Sequence, residues 1–364
     1  MSLIPLRVYV LPVSGGAFVS QLAFLIEVYK ARTKLLEDVI NNYPNLVLGS
    51  SGGNISAYIA MTGSWTEAGI LRISKKIQRD MFIMSWWPES LDFLPSSAIG
   101  IFKESLYRQG YGIRKLFTDN LNNKKVQSNT EIWTGTYNKT KSKAQFFCNK
   151  KEGTTLIDGD RFEKDRILLN CEQLIFTNGD LNLLADITIA SASIPVLVKN
   201  QPIRNCIYSD GGTAYSSPLS IFTPELFRII KGDKKYSLQL IYFSCCDLYT
   251  NEIDKNTTNG IAGEAGMTIN AMVSTLEILD RSKSIDLIKM LIENNETLKH
   301  EHHRSLNTDL LCEIFKMLKT KKHYILNLYP LNNESINLLD FNSDIVIDKI
   351  KKTQLAYAAH VWYI

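Results

Sequence analysis

Asn45-Leu46-Val47-Leu48-Gly49-Ser50-Ser51-Gly52-Gly53-Asn54-Ile55-Ser56-Ala57-Tyr58-Ile59-Ala60 joins an apolar run to a run of small and apolar residues through a glycine-serine corner. The first part reads as a buried strand and the last as a buried helix. Between them lies G-x-S-x-G, with Ser51 at its centre. A strand turning sharply into a helix forces its corner residue into strained backbone geometry and lifts that side chain clear of the sheet edge. Neighbours without a Cβ avoid clashes there. Ser51 Oγ would then stand at the positive end of a helix, where a developing oxyanion is stabilised. The same letters also suit an ordinary strand–helix turn, so the rest of the chain has to decide.

Bulk properties set the bounds. A chain of 364 residues with 45% hydrophobic and 21% charged content can build a large core. The net charge of +4 is small, and the basic residues are scattered among acids. That argues against nucleic acid as a partner, while a mildly basic surface suits anionic lipid. Six cysteines lack C-x-x-C spacing and the density of a disulfide scaffold, which favours a reducing compartment. Met1–Val13 reads as a first strand and not as a secretion signal, and no apolar run is long enough to span a membrane. The expected location is cytoplasmic or peripheral to a membrane.

Leu6–Val13 is expected to be a strand running into Ser14-Gly15-Gly16-Ala17-Phe18, followed by a helix from Val19. A glycine pair there leaves backbone N–H groups uncovered and admits a ligand oxygen. A phosphate loop would need G-x-x-x-x-G-K-[ST] or G-x-G-x-x-G, and neither is present. An oxyanion loop fits better, because a nucleophile elbow follows it. Residues 64–117 read as mostly helical. Within them, 81–102 is dense in large apolar groups, including Trp86 and Trp87, and suits core packing or a cover at a lipid–water boundary.

Ile132–Tyr137 and Ala144–Cys148 read as a hairpin with a basic tip at Lys139–Lys143. Asp186–Pro195 reads as a short helix of small residues stopped by proline, with no chemical role evident. In Tyr208-Ser209-Asp210-Gly211-Gly212, a carboxylate ends a strand among glycines. That is either a plain Asp-Gly turn or a general base with room for a reacting partner. Further on, Tyr236–Ser244 and His323–Tyr329 read as strands, and 261–282, 284–294 and 307–320 as helices. His300, Glu301, His302 and His303 lack the i, i+4 spacing of a zinc helix and read as a solvated helix end. No metal or cofactor is expected.

Taken together, these pieces resemble the patatin-like phospholipase family. Four motifs occur in the family's order: Ser14-Gly15-Gly16, G-x-S-x-G at Gly49–Gly53, A-S-x-x-x-P at Ala190–Pro195, and Asp210-Gly211-Gly212 with Pro218 after it. Tyr329-Pro330 and Leu338–Phe341 look like the closing strand and helix of bacterial-type members. The resemblance implies a three-layer α/β/α sandwich with a mostly parallel central sheet and helical additions. It would be a single domain over 1–364, with a catalytic core of about 5–245 and a C-terminal part of about 260–364. It further implies a carboxylic ester hydrolase of phospholipase A or lysophospholipase type. Ser51 would be the nucleophile, Asp210 the base, and the amides of Gly15, Gly16, Ala17 and Gly52 the oxyanion hole. Its partners would be a lipid or membrane-surface substrate, met through 81–102, and in some relatives an activator protein, for which Lys139–Lys143 is the place to look.

The chain departs from the family's pattern where Ala17 replaces a third glycine, Val19 a basic residue, Ser20 a glycine and Ser217 an asparagine. Two other readings stay open at this point. One is a histidine-dependent α/β-hydrolase using His323 or His360 after Asp210, an order such enzymes allow. The other is a catalytically silent fold used for binding or structure.

Overall fold

The computed structural model describes residues 3–35, 43–78, 83–85, 107–109, 112–121, 130–150, 155–157, 171–175, 181–195, 198–233, 236–245, 261–293, 297–331 and 342–364. Its strands are β1 (Ile4–Leu11), β2 (Leu46–Ser50), β3 (Ile83–Ser85), β4 (Tyr107–Gln109), β5 (Glu131–Asn138), β6 (Lys143–Cys148), β7 (Cys171–Ile175), β8 (Gln201–Ile203) and β9 (Cys206–Asp210). They continue with β10 (Tyr236–Phe243), β11 (Lys299–Leu306), β12 (Tyr324–Pro330) and β13 (Tyr357–Tyr363). The helices are α1 (Phe18–Lys34), α2 (Gly52–Thr62), α3 (Glu67–Ser74), α4 (Gly112–Leu121), α5 (Leu181–Ser191), α6 (Pro218–Asp233), α7 (Ile261–Glu293), α8 (Thr308–Leu318) and α9 (Ser343–Leu355).

The main sheet has the strand order β11-β13-β12-β10-β1-β2-β5-β6-β7, with β9 also paired to β5 and β8 to β9. The five central strands, β12, β10, β1, β2 and β5, run parallel. Antiparallel additions flank them on both sides. Parallel strands buried on both faces read as unbroken apolar runs, and β2 (LVLGS) is buried throughout. Alternate side chains go to opposite layers. Tyr9, Leu11, Val47 and Ile241 pack with α1, α2, α5, α8 and α9. Val8, Val10, Leu48 and Leu240 pack with α6 and α7. The result is the expected three-layer α/β/α arrangement.

Several sequence expectations meet corrections. The expected helices 261–282 and 284–294 are, over the described residues Ile261–Glu293, one helix, α7, and not two. It has no proline or glycine around Arg281–Ser284 to break it, and both of those residues are buried. The His300–His303 segment is not a helix end but the edge strand β11, paired with β13. Period-two alternation explains this: His300 and His302 stack beside His360 of β13, whereas Glu301 and His303 bond to each other on the opposite face. Residues 64–117 include a short antiparallel pair, β3 with β4, between α3 and α4. Strand β13 was not anticipated from the sequence. Apart from Ile83–Ser85, the apolar stretch 81–102 lies outside the described residues, as does Leu338–Phe341.

Candidate active site

Ser51 sits between the end of β2 and the start of α2 with φ 53° and ψ −130°, in left-handed space that a residue with a Cβ rarely occupies. Its neighbours allow the bend. A Cβ on Gly49 would lie 3.1 Å from Asn54 Cα, and one on Gly52 would lie 2.5 Å from the Gly15 carbonyl oxygen and 2.6 Å from Ser14 Oγ. The elbow therefore presses directly on the loop that follows β1. That loop is a short 3-10 turn, Gly15–Ala17, with Gly15 at φ 50°.

Register brings the base to the nucleophile. Ser50 is level with Gly135 on β5, and the next residue of β5, Thr136, pairs with Asp210 at the end of β9. Asp210 is thus one strand across from the elbow, although 159 residues separate it from Ser51 in the chain. Ser51 Oγ donates to Asp210 Oδ2 at 2.6 Å. The other carboxylate oxygen, Oδ1, accepts from the Gly212 amide at 2.7 Å, which fixes the plane of the group. A Cβ on Gly211 would run into Ser50 Oγ and the Gly135 carbonyl, so a glycine is required for this approach.

Both side chains are buried, Ser51 at 2% exposure and Asp210 at 3%. Burial disfavours the charged form and pushes the Asp210 carboxyl up to about 7, against the opposing pull of its bonds from Ser51 and Gly212. A carboxylate is thereby moved into the range where it can serve as a base near neutral pH.

Ser191, for which the sequence offered no chemical role, ends α5 and braces the elbow. Its Oγ accepts from the Ser51 amide at 2.9 Å and donates to the Gly135 carbonyl at 2.7 Å. Two residues on, the Ser193 carbonyl accepts from the Asp210 amide at 3.0 Å. The only hint was a run of small residues, which signals close approach without naming what approaches.

Of the four amides expected to face an oxyanion, Gly15 and Gly16 lie in the turn after β1, and Gly52 opens α2, where a first-turn N–H has no acceptor within the helix. Ala17 differs: its N–H is committed to the Ser14 carbonyl at 2.9 Å, closing the 3-10 turn. That expectation is corrected, since a closed turn leaves its third amide no donor to offer.

Where the family's basic residue is missing, Gln21 anchors the loop. It is fully buried, accepts from Ser14 Oγ at 3.3 Å, and donates to the carbonyls of Pro12 and Phe243, both at 3.2 Å. All five histidines of the chain lie away from the dyad. His323 takes the Leu238 amide at 2.9 Å near the amino end of β10, the opposite end of the sheet from Ser51. The other four belong to β11 and β13. At a strand spacing of about 4.8 Å, His360 is roughly 19 Å from β2 across four strand intervals. Among the described residues, no three or more His, Cys, Asp or Glu side chains are arranged to hold a metal ion. No helix among them is long and apolar enough to cross a membrane.

No curated protein matches the sequence. A family model described as patatin-like phospholipase matches residues 13–223, a span that opens just before the Ser14–Ala17 turn and includes both Ser51 and Asp210. A match of that length, over the same elements that build this corner of the sheet, means that the chain belongs to the patatin-like phospholipase family, a family of lipid hydrolases.

Proposed function

We propose that this protein hydrolyses an acyl ester of a glycerophospholipid or neutral lipid through a serine–aspartate dyad. The observation that carries this reading is the 2.6 Å hydrogen bond from Ser51 Oγ to Asp210 Oδ2 in a buried corner. Serine is a weak nucleophile until a base accepts its proton, and an ordinary aspartate, with a pKa of about 4, is a feeble base at neutral pH. Raised to about 7, Asp210 suits the task.

In the proposed cycle, Ser51 Oγ attacks the acyl carbonyl as its proton passes to Asp210. The amides of Gly15, Gly16 and Gly52 take the negative charge of the tetrahedral oxygen. Asp210 then returns the proton to the departing lysolipid or alcohol oxygen. A water molecule, deprotonated by Asp210, attacks the acyl-enzyme, and Asp210 returns that proton to Ser51 Oγ as the bond to the acyl carbon breaks and the fatty acid leaves. Each lost oxyanion donor would cost about 3 kcal/mol of transition-state stabilisation. The substrate would be met at a lipid surface, and the basic hairpin tip at Lys139–Lys143 is where an activator protein would be sought.

The test is a panel of phospholipids, lysophospholipids and acylglycerols given to the wild type and to Ser51→Ala, scoring released fatty acid. The expected result is release by the wild type on at least one lipid and a fall of at least about 10³-fold in the variant. Equal release by the two proteins would remove the catalytic reading.

A further inference from the structure

Helix α7 lies beyond the residues that the family model matches, yet it reaches the catalytic corner through one carboxylate. Asp280 Oδ2 accepts from the Ser217 amide at 2.7 Å, and the hydroxyls of Ser216 and Ser220 lie 3.1 and 3.5 Å from the same oxygen. The Ser216 hydroxyl is also 2.7 Å from the carbonyl of Leu276, one turn earlier on α7. Pro218 opens α6 and has no N–H, so the Ser217 amide is the donor left at that helix end. A carboxylate facing it is favoured by the helix dipole as well.

These contacts connect to the active site on two sides. Upstream, Ser216 and Ser217 follow Asp210–Ala214, the carboxylate and its turn, with Tyr215 between them. On the other side, the Ser216 carbonyl accepts from the Val13 amide at 2.9 Å, and Val13 leads into Ser14-Gly15-Gly16. The Val13 side chain also closes on the Asp210 turn, since a Cβ on Gly212 would lie 3.1 Å from both Val13 γ-carbons.

We propose that Asp280 is a positioning residue, which ties Ser216 and Ser217 in place and so keeps the Asp210 turn and the Gly15–Gly16 loop in register with Ser51. Its kinetic consequence rests on the hydrolase reading above, and its structural consequence does not. Displacing either part by about 1 Å can cost about 10²-fold in rate even though Asp280 touches no reacting atom.

The experiment compares full-length wild type, Asp280→Ala and Asp280→Asn by ester hydrolysis and by amide hydrogen exchange read in separate peptides. In Asp280→Ala, exchange at residues 13–17 and 211–217 is expected to speed up about tenfold, with peptides of β10 and β12 unchanged. Its kcat is expected to fall about tenfold while KM stays within about twofold. Asp280→Asn keeps an oxygen for the Ser217 amide and is expected to recover most of both losses. Should Asp280→Ala fail to fold, Ser216→Ala removes only the hydroxyl contacts and carries the same expectation at about threefold. Unchanged exchange in the two segments overturns the inference whatever the wild type hydrolyses. Faster exchange with unchanged kcat in an active enzyme overturns it too, as does loosening spread evenly through the sheet. A wild type that hydrolyses nothing counts against the hydrolase reading alone, and the exchange pattern still decides the role of Asp280.

Discussion

At Asp210, a single buried carboxyl couples pH to both chemistry and stability. In its proposed role as base it must be ionised, so kcat/KM should rise with pH through an apparent pKa near 7 and level off above it. Asp210→Asn should abolish turnover, because an amide cannot accept the Ser51 proton. The same group acts on stability with the opposite preference. Its folded-state pKa is raised, so the native state holds its proton more tightly than the unfolded chain does. The stabilisation this gives is present at low pH and lost as pH rises through about 7. Melting temperatures of Asp210→Asn minus wild type should therefore be more positive at pH 8 than at pH 5. A flat difference would mean that the carboxyl is not raised.

At the scale of elements, two junctions carry testable weight. Gln21, at the start of α1, ties Pro12 and Ser14 to the end of β10 through a buried side chain. Gln21→Leu keeps much of the volume but leaves those groups unpaired, at a cost of about 1–3 kcal/mol for a buried polar group. The labelling rate of Ser51 by a fluorophosphonate should fall about tenfold, by displacement of the Gly15–Gly16 turn. An unchanged rate would show that the loop holds itself.

The second junction is the sheet edge of β11, β13 and β12, where His302 stacks on His360 at 4.3 Å and its Nε2 lies 2.6 Å from the Tyr329 hydroxyl. His300 Nε2 is 3.2 Å from His360 Nδ1. Burial, then its histidine neighbours, then Arg281 and Lys289 of α7, hold His360 down at about 4. A depressed histidine binds fewer protons folded than unfolded. Its contribution is intact above the ordinary histidine value of about 6.5 and is lost as pH falls toward 4. Denaturant unfolding at stepped pH should show that loss in the wild type and a smaller one in His360→Gln.

These junctions also mark what sequence patterns could and could not convey. The strand–Gly-Ser–helix corner, the glycine pair after β1 and the Asp-Gly-Gly turn were legible, because strained backbone restricts which residues can stand there. Ser191 and Asp280 were not, because a serine in a small-residue run or an aspartate on a long helix looks the same with or without a distant partner. The histidines of β11 misled for a related reason. Polar alternation on an edge strand resembles a solvated helix end until β13 is known to lie beside it.

At the scale of the molecule, the family match ends within α6, yet the sheet continues. Strand β10 pairs with β1 along seven positions, and β12 and β13 extend the same sheet. We infer that the 364 residues fold as one unit. A chain ending at residue 233 would strip β1 of one neighbour and expose Leu6, Val8 and Val10 of the second core. Such a truncation should be insoluble or lack cooperative unfolding by circular dichroism. A soluble, cooperatively melting fragment would instead make the C-terminal part an accessory.

Because Ser51 and Asp210 stand on strands that meet only across β5, a ribosome exposes Ser51 long before its partner has been made. A half-synthesised chain therefore carries the Ser51 hydroxyl without the carboxylate that it bonds in the finished fold. By the proposed mechanism, ester cleavage would become available only when the hairpin bearing Asp210 docks, so completion of the fold would itself be the step that arms the protein.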